Sequence, residues 1–107
     1  MTETQFQIQA MKYLRQRGHL AIHVPNEGHR TKREGAIAKK KGVLPGVSDI
    51  LVLDLGCAIE LKTENGVVSR SQDLFLRAVR SVGWTAGVAR SMADVEELIE
   101  RAKNAIE

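Results

Sequence analysis

Cysteine occurs once in this chain, as Cys57, which excludes an internal disulfide and any zinc site built on several thiolates. Aromatic side chains are nearly as scarce. Four residues, 4% of the total, are too few to pave a surface with stacking rings. No apolar run approaches the roughly 18–20 residues that span a bilayer, so no membrane partner is expected. No glycine pattern resembles a nucleotide-binding P-loop, and there is no internal repeat or low-complexity tract. The opening stretch "MTETQFQIQ" is polar and acidic, unlike a secretory signal. The expected setting is reducing and cytoplasmic.

What is present is an ordinary globular composition, 43% hydrophobic and 27% charged, over a length that suits one domain, residues 1–107. The net charge of +3 is unevenly spread. Residues 1–48 hold nine Lys/Arg against three Asp/Glu, net +6, and residues 49–107 hold seven against ten, net −3. A basic first half suits a polyanionic partner, although many soluble domains of similar charge bind none.

Along the chain, residues 3–17 have the period of an amphipathic helix, with Phe6, Ala10, Tyr13 and Leu14 on one stripe. Thr2 and Gln5 fit a capping box, and Gly18 is a stop. "LAIHV", 20–24, is a short strand ended by Pro25 and Asn26. Residues 26–48 lack sustained periodicity, though "REGAIAKKKG" has room for two helical turns closed by Gly42. "DILVLD", 49–54, reads as a strand covered on both faces. Leu55 and Gly56 then turn the chain into "CAIELK", 57–62, as an antiparallel hairpin. Residues 70–82 predict a helix with Leu74, Phe75, Ala78, Val79 and Val82 on its stripe, stopped by Gly83. "WTAGVAR", 84–90, is a strand. Residues 92–106 are a last helix, with Val95, Leu98, Ile99, Ala102 and Ile106 inward and Ser91 with Asp94 as its capping box. The fold class is α/β: a mixed sheet flanked by helices in the order α-β-β-β-α-β-α.

Within "CAIELK", Ala58, Glu60 and Lys62 share one face. A lone Glu-x-Lys on a strand is most simply a solvated face. Asp49 alters that reading, because a hairpin with so short a turn brings the start of 49–54 beside the end of 57–62. Asp49, Glu60 and Lys62 then gather at one end of the sheet. Two convergent carboxylates suit Mg2+ or Mn2+, and a nearby ammonium can orient a water or stabilise charge developing on phosphate. Asp54 falls at the opposite strand end and, like Glu64, reads as a turn residue.

"GVSDILVLD" followed by "CAIELK" resembles the Asp…Glu-x-Lys signature of the PD-(D/E)xK nuclease superfamily. With "TETQFQIQAMKYLRQRG", "PNEGHR", "KKKGVLPGVSDILV", "IELKTENGVVSRSQ" and "VGWTAGVARS", the whole chain is similar to the virus-type replication-repair nuclease (VRR-NUC) domain, in the stand-alone form found in phages and bacteria. Ser48 stands where the superfamily name has proline. The resemblance implies a restriction-endonuclease-like core and an Mg2+- or Mn2+-dependent endodeoxyribonuclease. It implies that Asp49, Glu60 and the backbone carbonyl of Leu61 ligate metal, that Lys62 is the catalytic lysine, and that Gln72 is a motif glutamine beside the site. Glu3 corresponds to an N-terminal acid that reaches the metal directly or through water. It further implies a homodimer that cleaves four-way (Holliday) junctions.

Simpler readings stand beside these. Glu3 lies in a helix first turn, where any acid is favoured, and Gln72 follows Ser69 by three, which fits a capping box. "HRTKREGAIAKKKG", 29–42, carries Arg30, Lys32, Arg33, Lys39, Lys40 and Lys41 against one acid. It is either a clamp on the DNA backbone or a solvated loop. Arg70 is a further phosphate contact, and His29 is either that or a surface histidine. His19 and His23 have His-xxx-His spacing, but on a strand rather than the helix a zinc pair needs. Cys57 belongs to the core. The rival to a nuclease is a structure-selective DNA-binding module that does not cut. A protein-binding adaptor leaves the charges in the strand unexplained.

Overall fold

The computed structural model describes residues 1–25 and 31–106. The elements, in order, are α1 (Glu3–Gln16), β1 (Ala21–His23), α2 (Lys32–Lys40), β2 (Ile50–Val52), β3 (Cys57–Leu61), α3 (Arg70–Ser81), β4 (Thr85–Ala89) and α4 (Met92–Ile106). The α/β class and the mixed sheet are as expected. The basic segment contributes α2, which adds a helix to the expected order. Thr31 caps its start, accepting from Glu34 N–H at 3.1 Å, and Gly42 closes its end.

The glycines expected as helix stops all perform that task. Gly18, Gly42 and Gly83 each follow a helix whose last carbonyls are taken up by two returning N–H groups, such as Gly42 to Lys39 and Val43 to Ala38, both at 3.0 Å. Capping boxes form at Thr2–Gln5 and Ser69–Gln72. At α4, Ser91 accepts from Asp94 N–H as expected, but the Asp94 carboxylate turns back to Arg90 N–H, at 2.9 Å, one residue earlier than a capping box requires.

The sheet order is β1-β2-β3-β4, antiparallel across the first three strands and parallel between β3 and β4. The parallel pair is possible because α3 supplies the crossover. All five residues of β3 are buried. Cys57, Ile59 and Leu61 pack with Phe6, Leu14, Val95 and Ile99 of α1 and α4, while Ala58 packs with Leu76 of α3 and Ala86 of β4. Helices on both faces thus leave β3 without a solvated side. The β2–β3 connection is longer than expected. Pairing stops at Val52↔Cys57, so four residues, 53–56, make the turn. Asp54 leaves the strand because its carboxylate accepts from Leu20 N–H at 2.8 Å and meets His19 Nδ1 at 2.9 Å.

The stripe of α3 also departs from expectation. Leu74 and Val82 are 51% and 75% exposed, Ala78 is exposed, and Leu76 is the residue fully buried. The sheet-facing row is Gln72, Phe75, Leu76 and Val79, a proper helical spacing rotated by about one position. Ile106 is exposed too, at the last turn of α4.

Between α2 and β2 the chain crosses the start of α3 at Gly46. Its φ is +79°, and a Cβ there would lie 2.2 Å from the Ser71 carbonyl oxygen and 2.6 Å from Gln72 N. Backbone meets backbone, so neither side can yield. Gly46→Ala is therefore expected to cost about 2–3 kcal/mol, as strain plus a clash. Gly42→Ala has the same sign of φ with open space around it and is expected to cost about 1 kcal/mol. Urea unfolding of the two variants checks the difference, and equal losses would show that the Gly46 crossing is not tight.

Candidate active site

The β2–β3 register sets the site. Ile50 pairs with Ile59, so the next pair outward places Asp49 opposite Glu60. β2 begins at Ile50, which leaves Leu61 N–H without a strand partner on that side. The Asp49 carboxylate takes the place, accepting from Leu61 N–H at 2.8 Å. The Asp49 main chain is held as well: its carbonyl accepts from Val24 N–H at 3.1 Å and from His23 Nδ1 at 2.7 Å. A carbonyl only accepts, so the His23 proton resides on Nδ1.

Glu60 is 2% exposed, and its Oε1 has no hydrogen-bond partner among the described residues. Burial, followed by the adjacent Asp49 carboxyl, pushes its pKa up to about 9, against the opposing pull of Lys62; Glu3 adds to the rise. Without a cation, Glu60 is protonated at neutral pH. A strand face with Glu60 at that burial is not a solvated one.

Asp49 and Glu60 line a cavity of about 340 Å³ together with Glu3, Thr4, Gln7, Val47 and Gln72. The two readings of Gln72 are compatible. Its Oε1 accepts from Ser69 N–H at 2.8 Å, which leaves its NH2 as the group available to the cavity. Glu3 caps no one but lines the same space from the first turn of α1. Among the described residues, no three His, Cys, Asp or Glu side chains close into a metal-holding group, so Asp49 and Glu60 form a pair with Glu3 beyond them. Lys62 is half-buried and acts on the Glu60 charge without lining that cavity. A neighbouring cavity of about 560 Å³, lined by Phe6, Thr63, Arg90 and Met92 among others, is larger but contains no carboxylate pair.

The donors present fit a small divalent cation. They are hard oxygens, they would repel one another if both were ionised with no cation between them, and one is buried without a partner among the described residues. Leu61 joins them through its main chain.

The remaining candidates separate cleanly. Lys32, Arg33, Lys39, Lys40, Lys41 and Arg70 are exposed. Arg30 and His29, with most of "PNEGHR", lie outside the described residues. His19 and His23 do not meet: His19 serves Asp54 at the far end of the sheet and His23 serves Asp49. Partial burial tends to raise the Asp54 pKa, but the hydrogen bonds from His19 and Leu20 outweigh it and hold that carboxyl below its usual range. Cys57 is fully buried, and burial pushes its thiol up to about 12, so it is core rather than nucleophile. Sequence reasoning did not single out His23 as the support of Asp49, Gln7 on the cavity wall, or Gly46 beneath Gln72. Gln7 had a signal, lying four residues after Glu3 on one helix face.

The raised pKa of Glu60 carries a sign. Between about 4.5 and about 9, the unfolded chain ionises this carboxyl while the folded chain keeps it protonated. The folded state binds the extra proton, so stability falls as pH rises through that window. In EDTA, Glu60→Gln is expected to melt several degrees higher than the unsubstituted chain at pH 8 and with little difference at pH 4.5. Calorimetry at the two pH values checks this, and a variant equally or less stable at pH 8 would contradict the buried neutral carboxyl.

No protein-family model matches the chain, and no curated protein matches it. Among solved structures, one described as "VRR_NUC domain protein" superposes with a TM-score of 0.77, over 98% of this chain and 90% of that one, at 20% sequence identity. At that identity the likeness is one of fold, and it spans every element described above. The chain has the α/β fold of a VRR_NUC domain protein.

Proposed function

We propose that this chain is a metal-dependent, structure-selective DNA endonuclease that hydrolyses phosphodiesters, acts on four-way junctions and works as a homodimer. The observation that carries the reading is Glu60, buried with an unpartnered oxygen beside Asp49 in a cavity shared with Gln72 and Glu3. The likeness to a VRR_NUC domain protein supports it. A DNA-binding module that does not cut would use the exposed lysines equally well but would gain nothing from burying one carboxyl against another.

Asp49, Glu60 and the Leu61 carbonyl would hold Mg2+ or Mn2+, with Glu3 reaching it through water. Such a cation polarises a phosphoryl oxygen and eases deprotonation of water. Gln72, its carbonyl committed to the Ser69 cap, offers an NH2 to the phosphate or the attacking water. Lys62 supplies positive charge where negative charge develops. Cleavage of branched and linear DNA with Mg2+, Mn2+ or EDTA tests the reading. Asp49→Ala and Glu60→Ala are expected to abolish cutting with DNA affinity kept or raised, since a charge repelling phosphate is lost. Lys62→Ala is expected to lower the rate about 100-fold or more with little change in Mg2+ affinity. Normal cutting by either acid variant would remove the metal-site assignment.

The exposed cations of α2 have a second physical role, because Lys39 and Lys40 lie in its last turn, where positive charge offsets the helix dipole. Salt dependence separates the roles. Replacing Lys39, Lys40 and Lys41 with Gln is expected to weaken binding to unrelated DNA sequences alike and to lower the slope of log K against log salt by up to about 0.9 per lost contact. An unchanged slope would leave these lysines as a solvated helix end.

Assembly follows from the substrate. Resolving a junction takes two cuts in opposed strands, and a two-fold dimer presents two sites so related. Val43, Leu44, Val67 and Val68 are apolar residues outside the expected helical stripes and main strands, which makes them candidates for an interface; Val68 is half-buried and the others exposed. Leu44, 60% exposed, and Leu74 line one shallow apolar cleft with Phe75 and Ala78. Light scattering is expected to give a mass near twice 11.8 kDa, falling to one chain in a Leu44→Asp, Leu74→Asp variant. A monomer that still cuts junctions symmetrically would end the dimer argument.

A further inference from the structure

Arg90 follows β4 directly, is exposed, and reaches the loop after Lys62. Its Nη1 donates to the Thr63 carbonyl at 2.9 Å and to the Gly66 carbonyl at 2.7 Å, with the Glu64 carbonyl at 3.4 Å. Gly66 N–H closes the same turn onto the Thr63 carbonyl at 3.0 Å. The turn therefore has one guanidinium nitrogen at its centre. Arg90 is itself anchored, since its N–H donates to the Asp94 carboxylate at the start of α4.

The turn in turn bounds the lysine. A Cβ on Gly66 would lie 3.2 Å from Lys62 Cδ and 3.4 Å from Lys62 Cβ, so the lysine stem passes close beside the position that a side chain at residue 66 would occupy. The lysine backbone is fixed on its other side, where Lys62 N–H donates to the Ala89 carbonyl at 3.0 Å, one residue from Arg90. A flexible four-carbon stem has many rotamers. Here a charged hydrogen bond to main-chain carbonyls makes the wall that limits them.

We infer that Arg90 is a positioning residue for Lys62, acting through the 63–66 turn and Gly66 rather than on the phosphate. This rests on the role proposed for Lys62. It separates Arg90 from the other exposed cations, which have no such set of carbonyl partners among the described residues.

Single-turnover cleavage of the DNA that the protein cuts best, in Mg2+, tests it alongside DNA affinity in Ca2+. Arg90→Gln is expected to slow cleavage roughly 10- to 100-fold with affinity unchanged. In a Lys62→Ala background, the same replacement is expected to change the residual rate less than about twofold, because the group it positions is gone. Gly66→Ala, which leaves Arg90 in place and crowds the stem, is expected to show the same pattern and serves if Arg90→Gln does not fold. An equal loss in both backgrounds would overturn the inference, as would weakened DNA binding at an unchanged rate, the mark of a phosphate contact. A readout independent of turnover is the Lys62 Cε resonance in lysine-labelled protein. It is expected to move towards the shift of a free lysine in Arg90→Gln. A Lys62 signal indifferent to Arg90 would overturn the inference whatever the protein cuts. A signal that responds in a chain that cuts nothing would uphold the positioning and remove the nuclease reading.

Discussion

Removing a carboxyl from water and setting it against a second carboxyl is costly unless something compensates. Glu60 is placed in that position at the middle of the sheet. Covering both faces of β3 is what the α/β arrangement requires for stability, and it leaves no solvent for a charged side chain there. Protonation relieves the cost when no cation is present. A divalent cation would relieve it with the carboxylates ionised. The burial that makes Glu60 awkward for folding thus makes it a receptive donor.

The surrounding structure fixes the partner rather than reducing the conflict. Asp49 is held at both ends, its carboxylate by Leu61 N–H and its carbonyl by Val24 N–H and His23. Its carboxylate cannot swing away from Glu60 without giving up the Leu61 N–H bond, and its main chain is pinned by the other two. The Gly46 crossing locks the chain entering β2 onto the start of α3, which carries Gln72. The rotation of α3 belongs to the same arrangement. Its inward row begins at Gln72, and one consequence is that Leu74 and Val82 are left outside. Two of the buried side-chain atoms without partners among the described residues, Ser48 Oγ and Glu60 Oε1, flank or face Asp49. Polar strain is therefore concentrated where the chemistry is proposed.

Much of this was legible in the sequence because local rules dominate it. Helix ends follow from Gly18, Gly42 and Gly83, caps from Thr2 and Ser69, and the existence of β2 from an unbroken apolar run, although Leu51 is half-buried and Leu53 exposed. The closeness of Asp49 and Glu60 follows from alternation plus a short turn, and it survives a connection of four residues rather than two. What could not be read depends on contacts distant in sequence. The helical period of 70–82 fits two neighbouring rotations, and only the sheet and the Gly46 crossing choose between them. Asp54 leaves its strand for His19, thirty-five residues away. Arg90 reaches carbonyls, and no side-chain pattern announces a hydrogen bond to a main chain. The basic segment lacks a strong apolar stripe because α2 buries one side chain, Ala38.

A phosphodiester approaching this cavity meets carboxyl groups of Asp49, Glu60 and Glu3, so the acids alone would repel it. The cavity is also lined from the first turns of two helices, Glu3 and Thr4 of α1 and Gln72 of α3. Each helix start offers an anion about 0.3–1 kcal/mol. Two such terms do not exceed the repulsion between a phosphate and the carboxylates that are ionised around it, which is about 1 kcal/mol per pair even in bulk water at 4 Å and larger when buried. Lys62 contributes one charge from beside the cavity rather than within it. The sum favours phosphate only when a doubly charged cation sits between the acids and the substrate. Under the proposed function, binding of the cation and binding of DNA in the cutting position would be one linked equilibrium, while the exposed lysines of α2 could hold DNA without it.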